Sequence, residues 1–75
     1  MAIVRLHLTL IETAGDKKEL IFDARQPVLL TTLLDRLGVP HAEVGIIVRN
    51  RKREAIDCVI HEEDVVELFQ ILSGG

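Results

Sequence analysis

The chain ends in two adjacent glycines, Gly74 and Gly75, preceded by Ser73. Because glycine has no Cβ, a diglycine backbone fits a channel too narrow for other residues and reaches φ/ψ values that they rarely adopt. The terminal α-carboxylate is ionised at pH 7, since α-carboxyl groups titrate near pH ~3.5. A carboxylate is a poor acyl donor until a good leaving group such as AMP is attached to it. The terminus therefore predicts an acyl group that another protein activates: Gly75 is the covalent site, and Ser73 and Gly74 form the slim segment that threads into the partner.

Length and composition limit what the chain can do by itself. It has 75 residues, of which 48% are hydrophobic. We therefore expect one β-strand-rich packed domain over residues 1–72 and a flexible tail over 73–75. A core of this size leaves little room for an internal pocket of about 300–1,000 Å³, the usual size of a small-molecule site. We expect a protein co-substrate rather than an enzyme, with no bound cofactor.

Charge, cysteine content and hydropathy argue against several other classes. The net charge of −3 argues against nucleic-acid binding, and a single cysteine excludes an internal disulfide or a cysteine-based zinc site. The three histidines lie in different segments without a ligand spacing, so no metal site is expected. No apolar run approaches the roughly 18 residues that a membrane span needs, and the first residues lack the layout of a signal peptide. We expect a cytoplasmic protein with no membrane partner.

The first half of the chain predicts a β-hairpin followed by a helix. Alternating apolar residues predict a strand from Ile3 to Ile11, with Leu8 and Leu10 on its buried face. A second alternating segment, Leu20 to Ala24, follows after a short polar turn and predicts the other strand of the hairpin. Leucines at i, i+3, i+4 and i+7 then predict a helix over about 29–37, which the following glycine and proline end.

The second half of the chain predicts strands only. A buried strand is expected over 44–48, a short strand over 55–60 and a last strand over 65–72, with polar turns at 50–53 and 61–64. One amphipathic helix on one face of a mixed sheet is a two-layer α+β arrangement. The element order is that of the ubiquitin-like β-grasp, with four to five strands and the last strand paired beside the first.

The C-terminal segment resembles a known family. Asp64, the alternating strand that follows it and the final diglycine are similar to the end of the ubiquitin-like sulfur carriers, namely the carrier of thiamin thiazole synthesis and the small subunit of molybdopterin synthase. Leu68-Phe69-Gln70 looks more like the thiamin carrier, because the molybdopterin type usually has prolines where this chain has Gln70 and Ile71. Two turns depart from the family pattern, which usually has glycine where this chain has Glu63 and Arg51.

The resemblance implies a set of partners and a reaction. An E1-like adenylyltransferase would consume ATP to adenylylate Gly75, and a sulfur donor of the cysteine desulfurase or rhodanese type would convert it to a thiocarboxylate. The thiocarboxylate would then deliver sulfur to a thiazole synthase or to the large subunit of molybdopterin synthase. Upstream, Leu33 to Gly38 is similar to the family's helix and Val48-Arg49-Asn50 to its strand-then-Asn turn.

The last strand also predicts a docking surface. If Val66 and Leu68 face the helix, alternation places Phe69 and Ile71 on the open face of the sheet, where an aromatic residue can anchor a partner. Ile47 or His7 is the neighbour expected to extend this patch. The reverse alternation, which would make Phe69 a core residue, stays open from the sequence alone.

An acidic group that we expect to lie near the tail suggests a further contribution to docking. The acidic group comprises Glu62, Glu63, Asp64 and Glu67. We expect Asp64 and Glu67 to contact the partner, and the group as a whole to steer the tail toward a basic entrance. The basic group comprises Arg49, Arg51, Lys52 and Arg53. It lacks interleaved aromatic residues, so a solvated turn is expected rather than a nucleic-acid site. Cys58 is expected to be a small buried residue.

Two other functions fit the same terminus. In a ubiquitin-like protein modifier, Gly75 would be joined to a lysine amine of a target protein. In a plain interaction domain, the diglycine would be incidental, since chain ends are commonly frayed. A carrier, a modifier and an interaction domain differ in what becomes of the terminal carboxylate.

Overall fold

The first hairpin is shorter than the sequence pattern predicts. The structure, a computed structural model, describes residues 1–71. Strand β1 (Ala2–Leu6) pairs antiparallel with β2 (Glu19–Phe22), as expected. The expected continuation to Ile11 is wrong, because Leu8 has a φ of 56° and Thr9–Thr13 forms the short helix α1. The i, i+4 spacing of Leu10 and Ala14 brings both into the core, whereas Leu8 is 62% exposed.

The main helix, α2 (Leu30–Leu37), closely matches the predicted one. Its leucine stripe faces the sheet, with Leu30 and Leu34 fully buried. Gly38 has a φ of 75°, the left-handed conformation that commonly caps a helix. Just before the helix lies β3 (Val28–Leu29), and after it comes a 3₁₀ turn at His41–Glu43.

The second half of the chain completes a mixed sheet of five strands. This half of the chain contributes three of the five strands, namely β4 (Val44–Arg49), β5 (Lys52–Glu54) and β7 (Val65–Gln70). The sheet order is β2-β1-β7-β4-β5, and only β1 and β7 are parallel. The last strand therefore pairs beside the first in the sheet interior, as the sequence predicts. The architecture is that of a ubiquitin-like β-grasp.

Two short segments differ from the sequence prediction. The segment Lys52–Glu54, expected largely as turn, is the edge strand β5. The strand expected over 55–60 shrinks to β6 (Val59–Ile60), which pairs with β3 outside the main sheet. Both segments are shorter than the roughly 4–8 residues over which alternation identifies a strand, so their pairing depends on neighbours that the local pattern does not reveal.

The sheet buries one face against α2 and leaves the other open. In β1 and β7, core residues alternate with residues of the open face. The fully buried residues of β1 and β7 are Ala2, Val4, Val66 and Leu68. The next residue along β7, Phe69, therefore lies on the open face, so the alternation we favoured is confirmed.

The two departures from the family's turn pattern both lie at left-handed backbone positions. Asn50 and Arg51 form the two-residue loop between β4 and β5, with φ values of 52° and 70°. Positive φ at both residues is typical of a type I′ turn, for which Asn-Gly is the preferred pair. Glu63 has a φ of 69° in the turn before β7. Glycine is therefore the residue that both positions would accept without strain.

We predict that Arg51→Gly stabilises the domain. A left-handed conformation costs a non-glycine residue roughly 1–2 kcal/mol, and the extra freedom of glycine in the unfolded chain offsets roughly 0.4–1 kcal/mol of the gain. The expected net change is a rise of about 0.5 kcal/mol in the free energy of unfolding, measured by urea denaturation. Lys52→Gly, in strand β5, is the matched control and should lower stability. A lower urea midpoint for Arg51→Gly would contradict the assignment of strain to this turn.

Candidate functional site

Ile71, the last residue that the structure describes, lies at one end of the sheet and is held in place there. The Ile71 amide donates a hydrogen bond of 2.8 Å to the carbonyl oxygen of Glu43. Gly45 lies directly against this segment: a Cβ at Gly45 would lie 2.6 Å from the Ile71 Cα atom and 3.1 Å from the Gln70 carbonyl oxygen. The backbone is therefore fixed up to the point from which the C-terminal tail departs. The predicted tail residues Ser73, Gly74 and Gly75 lie outside the described residues.

The same glycine marks an irregularity in the sheet. The pairing of β4 with β7 shifts register between Val44 and Ile46, so that Ile46 lies opposite Phe69 and Ile47 lies opposite Leu68. Ile46 is 37% exposed on the open face, whereas Ile47 is 5% exposed in the core. The expectation that Ile47 extends the surface patch is therefore wrong, and Ile46 takes that place. A lone glycine inside a strand pattern is a signal for such a bulge.

Apolar and aromatic side chains gather on the open face near this exit point. The His7 and Phe69 rings stack, with centroids 4.4 Å apart and planes inclined by 6°. Ile46 lies beside them in register, and Ile71 is 53% exposed where the strand ends. We call His7, Ile46, Phe69 and Ile71 the tail-side patch. It brings together two of the predicted docking residues, Phe69 and Ile71, with the histidine that the sequence offered as a neighbour.

Glu67 lies on the same face, one row further from the tail. Its Oε1 atom is 3.3 Å from the buried Nε2 atom of His7, although the two are not aligned for a hydrogen bond. Both side chains are about 36% exposed. Glu67 therefore presents a carboxylate at the border of the tail-side patch, as a docking residue would.

Asp64 has a different environment from the surface acid that we expected. It is 9% exposed, and both of its carboxylate oxygens are engaged. One accepts a hydrogen bond of 2.8 Å from the Asn50 side-chain amide, and the other accepts one of 2.8 Å from the His61 backbone amide and lies 3.6 Å from Arg49 Nη1. Asn50 in turn accepts a hydrogen bond of 2.9 Å from the Val65 amide. Asp64 thus fixes the turn that starts β7, and its carboxylate faces inward.

Glu62 and Glu63 lie at the same end of β7 as Asp64, far from the tail. Residues 64 and 70 are separated by roughly 20 Å at about 3.3 Å per residue of strand. Glu62 and Glu63 pair with the Met1 ammonium at 2.8 Å and 2.9 Å. The hydrogen bond from this ammonium lowers the pKa of Glu62. The expectation that these acids lie near the tail is therefore wrong.

The Asp64 cluster predicts a pH-dependent stability. Burial alone raises the pKa of Asp64, but the hydrogen bonds from His61 and Asn50, with the charge of Arg49, bring it below the usual value of 3.8. A depressed carboxyl pKa stabilises the fold above the unfolded-state pKa, and this contribution is lost as the pH falls through the folded-state pKa. Asp64→Asn should lower the free energy of unfolding at pH 7 by about 1–3 kcal/mol, because one amide N–H must face another donor.

Urea denaturation at pH 7 and pH 3 tests this assignment. The difference between the native chain and Asp64→Asn should shrink at pH 3, because the Asp64 carboxyl group of the unfolded chain is then largely protonated and the contribution of the depressed pKa is being lost. Asp57→Asn, which changes an exposed carboxylate, is the matched control and should leave the urea midpoint nearly unchanged at both pH values. An equal effect of the two substitutions at pH 7 would rule out the structural role of Asp64.

The remaining candidate groups have structural environments. Arg49, expected in a solvated turn, instead donates a hydrogen bond of 2.8 Å to the Val59 carbonyl oxygen and pairs with Glu54 at 3.2 Å. Cys58 packs against the core, and burial raises the pKa of its thiol. Among residues 1–71, no three His, Cys, Asp or Glu side chains cluster as metal ligands would. No helix in this part of the chain is long and apolar enough to cross a membrane.

Fold and sheet order place the chain with the ubiquitin-like β-grasp proteins in architecture. The chain is similar in structure to SAMP1 from Haloferax volcanii, with a TM-score of 0.67, 21% sequence identity, and 99% of this chain and 98% of that chain covered. No protein-family model and no curated protein matches the sequence. At this identity the likeness establishes the fold, over nearly the whole length of both chains.

Proposed function

We propose that this chain is a ubiquitin-like sulfur carrier, activated at Gly75 by an E1-like adenylyltransferase. One observation carries the proposal: the last strand of the β-grasp ends at Gln70, and Ile71 is anchored at the sheet's end while its side chain stays 53% exposed. A short segment that ends in the diglycine therefore begins at the molecular surface beside the tail-side patch. A docked enzyme could hold the folded domain by this patch and receive the carboxylate in its active site.

The proposed chemistry takes place in the partners. One carboxylate oxygen of Gly75 attacks the α-phosphorus of ATP, pyrophosphate leaves, and an acyl-adenylate forms. The terminal sulfur of a donor persulfide then attacks the carbonyl carbon, and AMP leaves with the bonding electrons. Exchange with a thiol splits the resulting acyl disulfide, which releases the C-terminal thiocarboxylate and leaves a disulfide on the donor. The chain supplies the acyl group and binds no cofactor of its own in this scheme.

The partners follow from the resemblance of the C-terminal segment. The sulfur donor would be a cysteine desulfurase or a rhodanese-type protein, and the acceptor a thiazole synthase or the large subunit of molybdopterin synthase. Leu68-Phe69-Gln70 favours the thiamin branch. We place this chemistry in the cytoplasm. Incubating the purified thiocarboxylate with each acceptor enzyme, and following which one consumes it, distinguishes the two branches.

Phe69→Ala tests the tail-side patch as the docking surface. Aromatic anchors of an interface typically contribute about 2 kcal/mol or more, so binding to the activating enzyme should weaken about thirtyfold or more by calorimetry. Loss of the His7 stack should lower the free energy of unfolding by only about 1 kcal/mol. Ile21→Ala is the matched control, because Ile21 is 53% exposed on the same face but lies at the far end, opposite Ile3. Equal binding by Phe69→Ala and the native chain would exclude the patch as the docking site.

Intact-mass spectrometry tests the function itself. The full chain is incubated with its cognate activating enzyme, ATP and a persulfide donor, and ATP is omitted in the control. A carrier gains the mass difference of one sulfur replacing one oxygen. A protein modifier instead appears on larger proteins through a lysine linkage, and an interaction domain shows neither product. Either of the last two results would overturn the carrier proposal.

A further inference from the structure

Strand β2 forms one edge of the sheet, and its outer side is unpaired in the described part of the chain. The Leu6 amide donates a hydrogen bond of 2.8 Å to the Lys18 carbonyl oxygen, which sets the phase of the β1–β2 ladder. In an antiparallel pair, the residues between hydrogen-bonded pairs direct their backbone groups outward. The N–H and C=O groups of Glu19 and Ile21 therefore point away from β1, as a template for one more strand.

An apolar groove runs beside this edge, between β2 and α2. Its volume is about 370 Å³. Its floor consists of Leu20, Phe22, Leu33 and Leu37. Leu33 is 5% exposed, and the other three are half-buried. A strand added to β2 would turn every second side chain into this groove, because side chains alternate between the two faces of a sheet. Branched aliphatic side chains fit such a floor.

The charges around the groove leave an excess of cations. The acidic side chain that lines the groove, Asp23, is already paired with Arg25 at 2.6 Å, and Glu19 of β2 is paired with Arg5 at 3.1 Å. The cations that line the groove are Lys17 and Arg36. Within residues 1–71, neither of these two side chains has an ion-pair partner. Carboxylates of an incoming segment would therefore meet unpaired positive charges at the rim.

We infer that the β2 edge and the adjoining groove bind an extended segment of a partner protein, in which alternate aliphatic side chains are flanked by acidic residues. Backbone hydrogen bonds to Glu19 and Ile21 supply affinity, and the groove and its cationic rim supply specificity, as in other cases of strand addition. This surface lies on the opposite side of β1 from β7 and the tail-side patch. The chain could therefore hold such a segment without using the surface proposed for the activating enzyme.

A titration with a synthetic peptide tests the inference. The probe is a short peptide of alternating valine and isoleucine with aspartates at its ends, added to the ¹⁵N-labelled full chain. We expect the largest amide shifts at Glu19 and Ile21 and in α2. Lys17→Gln combined with Arg36→Gln should weaken binding about fivefold, from two exposed charge pairs of about 0.5 kcal/mol each. Lys52→Gln combined with Arg53→Gln, at the opposite sheet edge, is the matched control and should leave binding unchanged.

Three results would overturn the inference. The first is a set of shifts confined to the tail-side patch, and the second is equal binding of a peptide whose backbone amides are methylated. The third is a concentration-dependent shift at β2 without peptide, which would assign the edge to a second copy of the chain. None of these results involves Gly75, so they leave the carrier proposal untouched. Conversely, failure of the sulfur-transfer assay would not affect this surface.

Discussion

Gly45→Ala should release the end of the last strand. A Cβ at this position would lie 2.6 Å from the Ile71 Cα atom and 3.0 Å from its amide nitrogen, both of which are backbone atoms. Neither can rotate away as a side chain can, so the chain at Ile71 must move. Overpacking of this kind costs about 1–3 kcal/mol of stability. We expect the Ile71–Glu43 hydrogen bond to break, and the Ile71 amide to exchange with solvent at least about tenfold faster, for a local loss of about 1.4 kcal/mol.

Amide hydrogen exchange and a charging assay measure the two consequences of this change. The activating enzyme should charge Gly45→Ala with a lower kcat/KM, because the tail no longer starts from a fixed point relative to the tail-side patch. Gly15→Ala is the matched control: a Cβ there meets no atom within 4 Å, but the φ of 73° strains it. It should lower stability by about 1 kcal/mol without affecting exchange at Ile71 or charging. Undiminished protection of the Ile71 amide in Gly45→Ala would show that the close approach does not hold the tail.

Local patterns in the sequence predict the parts of this fold that repeat over several residues. The leucine stripe of α2 identifies the buried face of the helix. The alternation in β7 places Val66 and Leu68 on the face opposite Phe69, but it does not by itself show which of the two faces is buried. The alternation is misleading around Leu8 and Leu10. Residues four apart lie on one face of a helix as well as of a strand, and Leu10 and Ala14 are such a pair.

The features that the sequence does not predict depend on contacts between distant segments. Nothing near Asp64 in the sequence shows that Asn50 and Arg49 surround it, so a charged turn looked like exposed surface. The stack of His7 on Phe69 depends on the parallel pairing of β1 with β7. Gly45 is a lone glycine within a strand, which indicates a bulge or a close backbone contact. Its contact partner, Ile71, is apparent only once β4 and β7 are aligned.

Appending one alanine after Gly75 should abolish charging while leaving the fold intact. The proposed reaction needs a free carboxylate on a residue without a side chain, at a fixed reach from the anchor at Ile71. The added residue moves the carboxylate by up to about 3.5 Å and puts a Cβ where the channel admits none. A displacement of about 1 Å can reduce a rate by about a hundredfold when the reacting groups must be aligned. The intact mass of the extended chain should therefore show no replacement of oxygen by sulfur.

The comparison with Ser73→Ala makes this experiment specific to the terminus. That substitution keeps the length of the tail, its final diglycine and a small residue before it, so charging should proceed at nearly the native rate. Urea denaturation should give the same midpoint for both variants and the native chain, because neither change touches the core. An extended chain that still acquires sulfur would show that the carboxylate of Gly75 is not the group that is activated. Loss of charging in Ser73→Ala as well would mean that the partner recognises the serine side chain, and that a slim backbone alone does not explain entry.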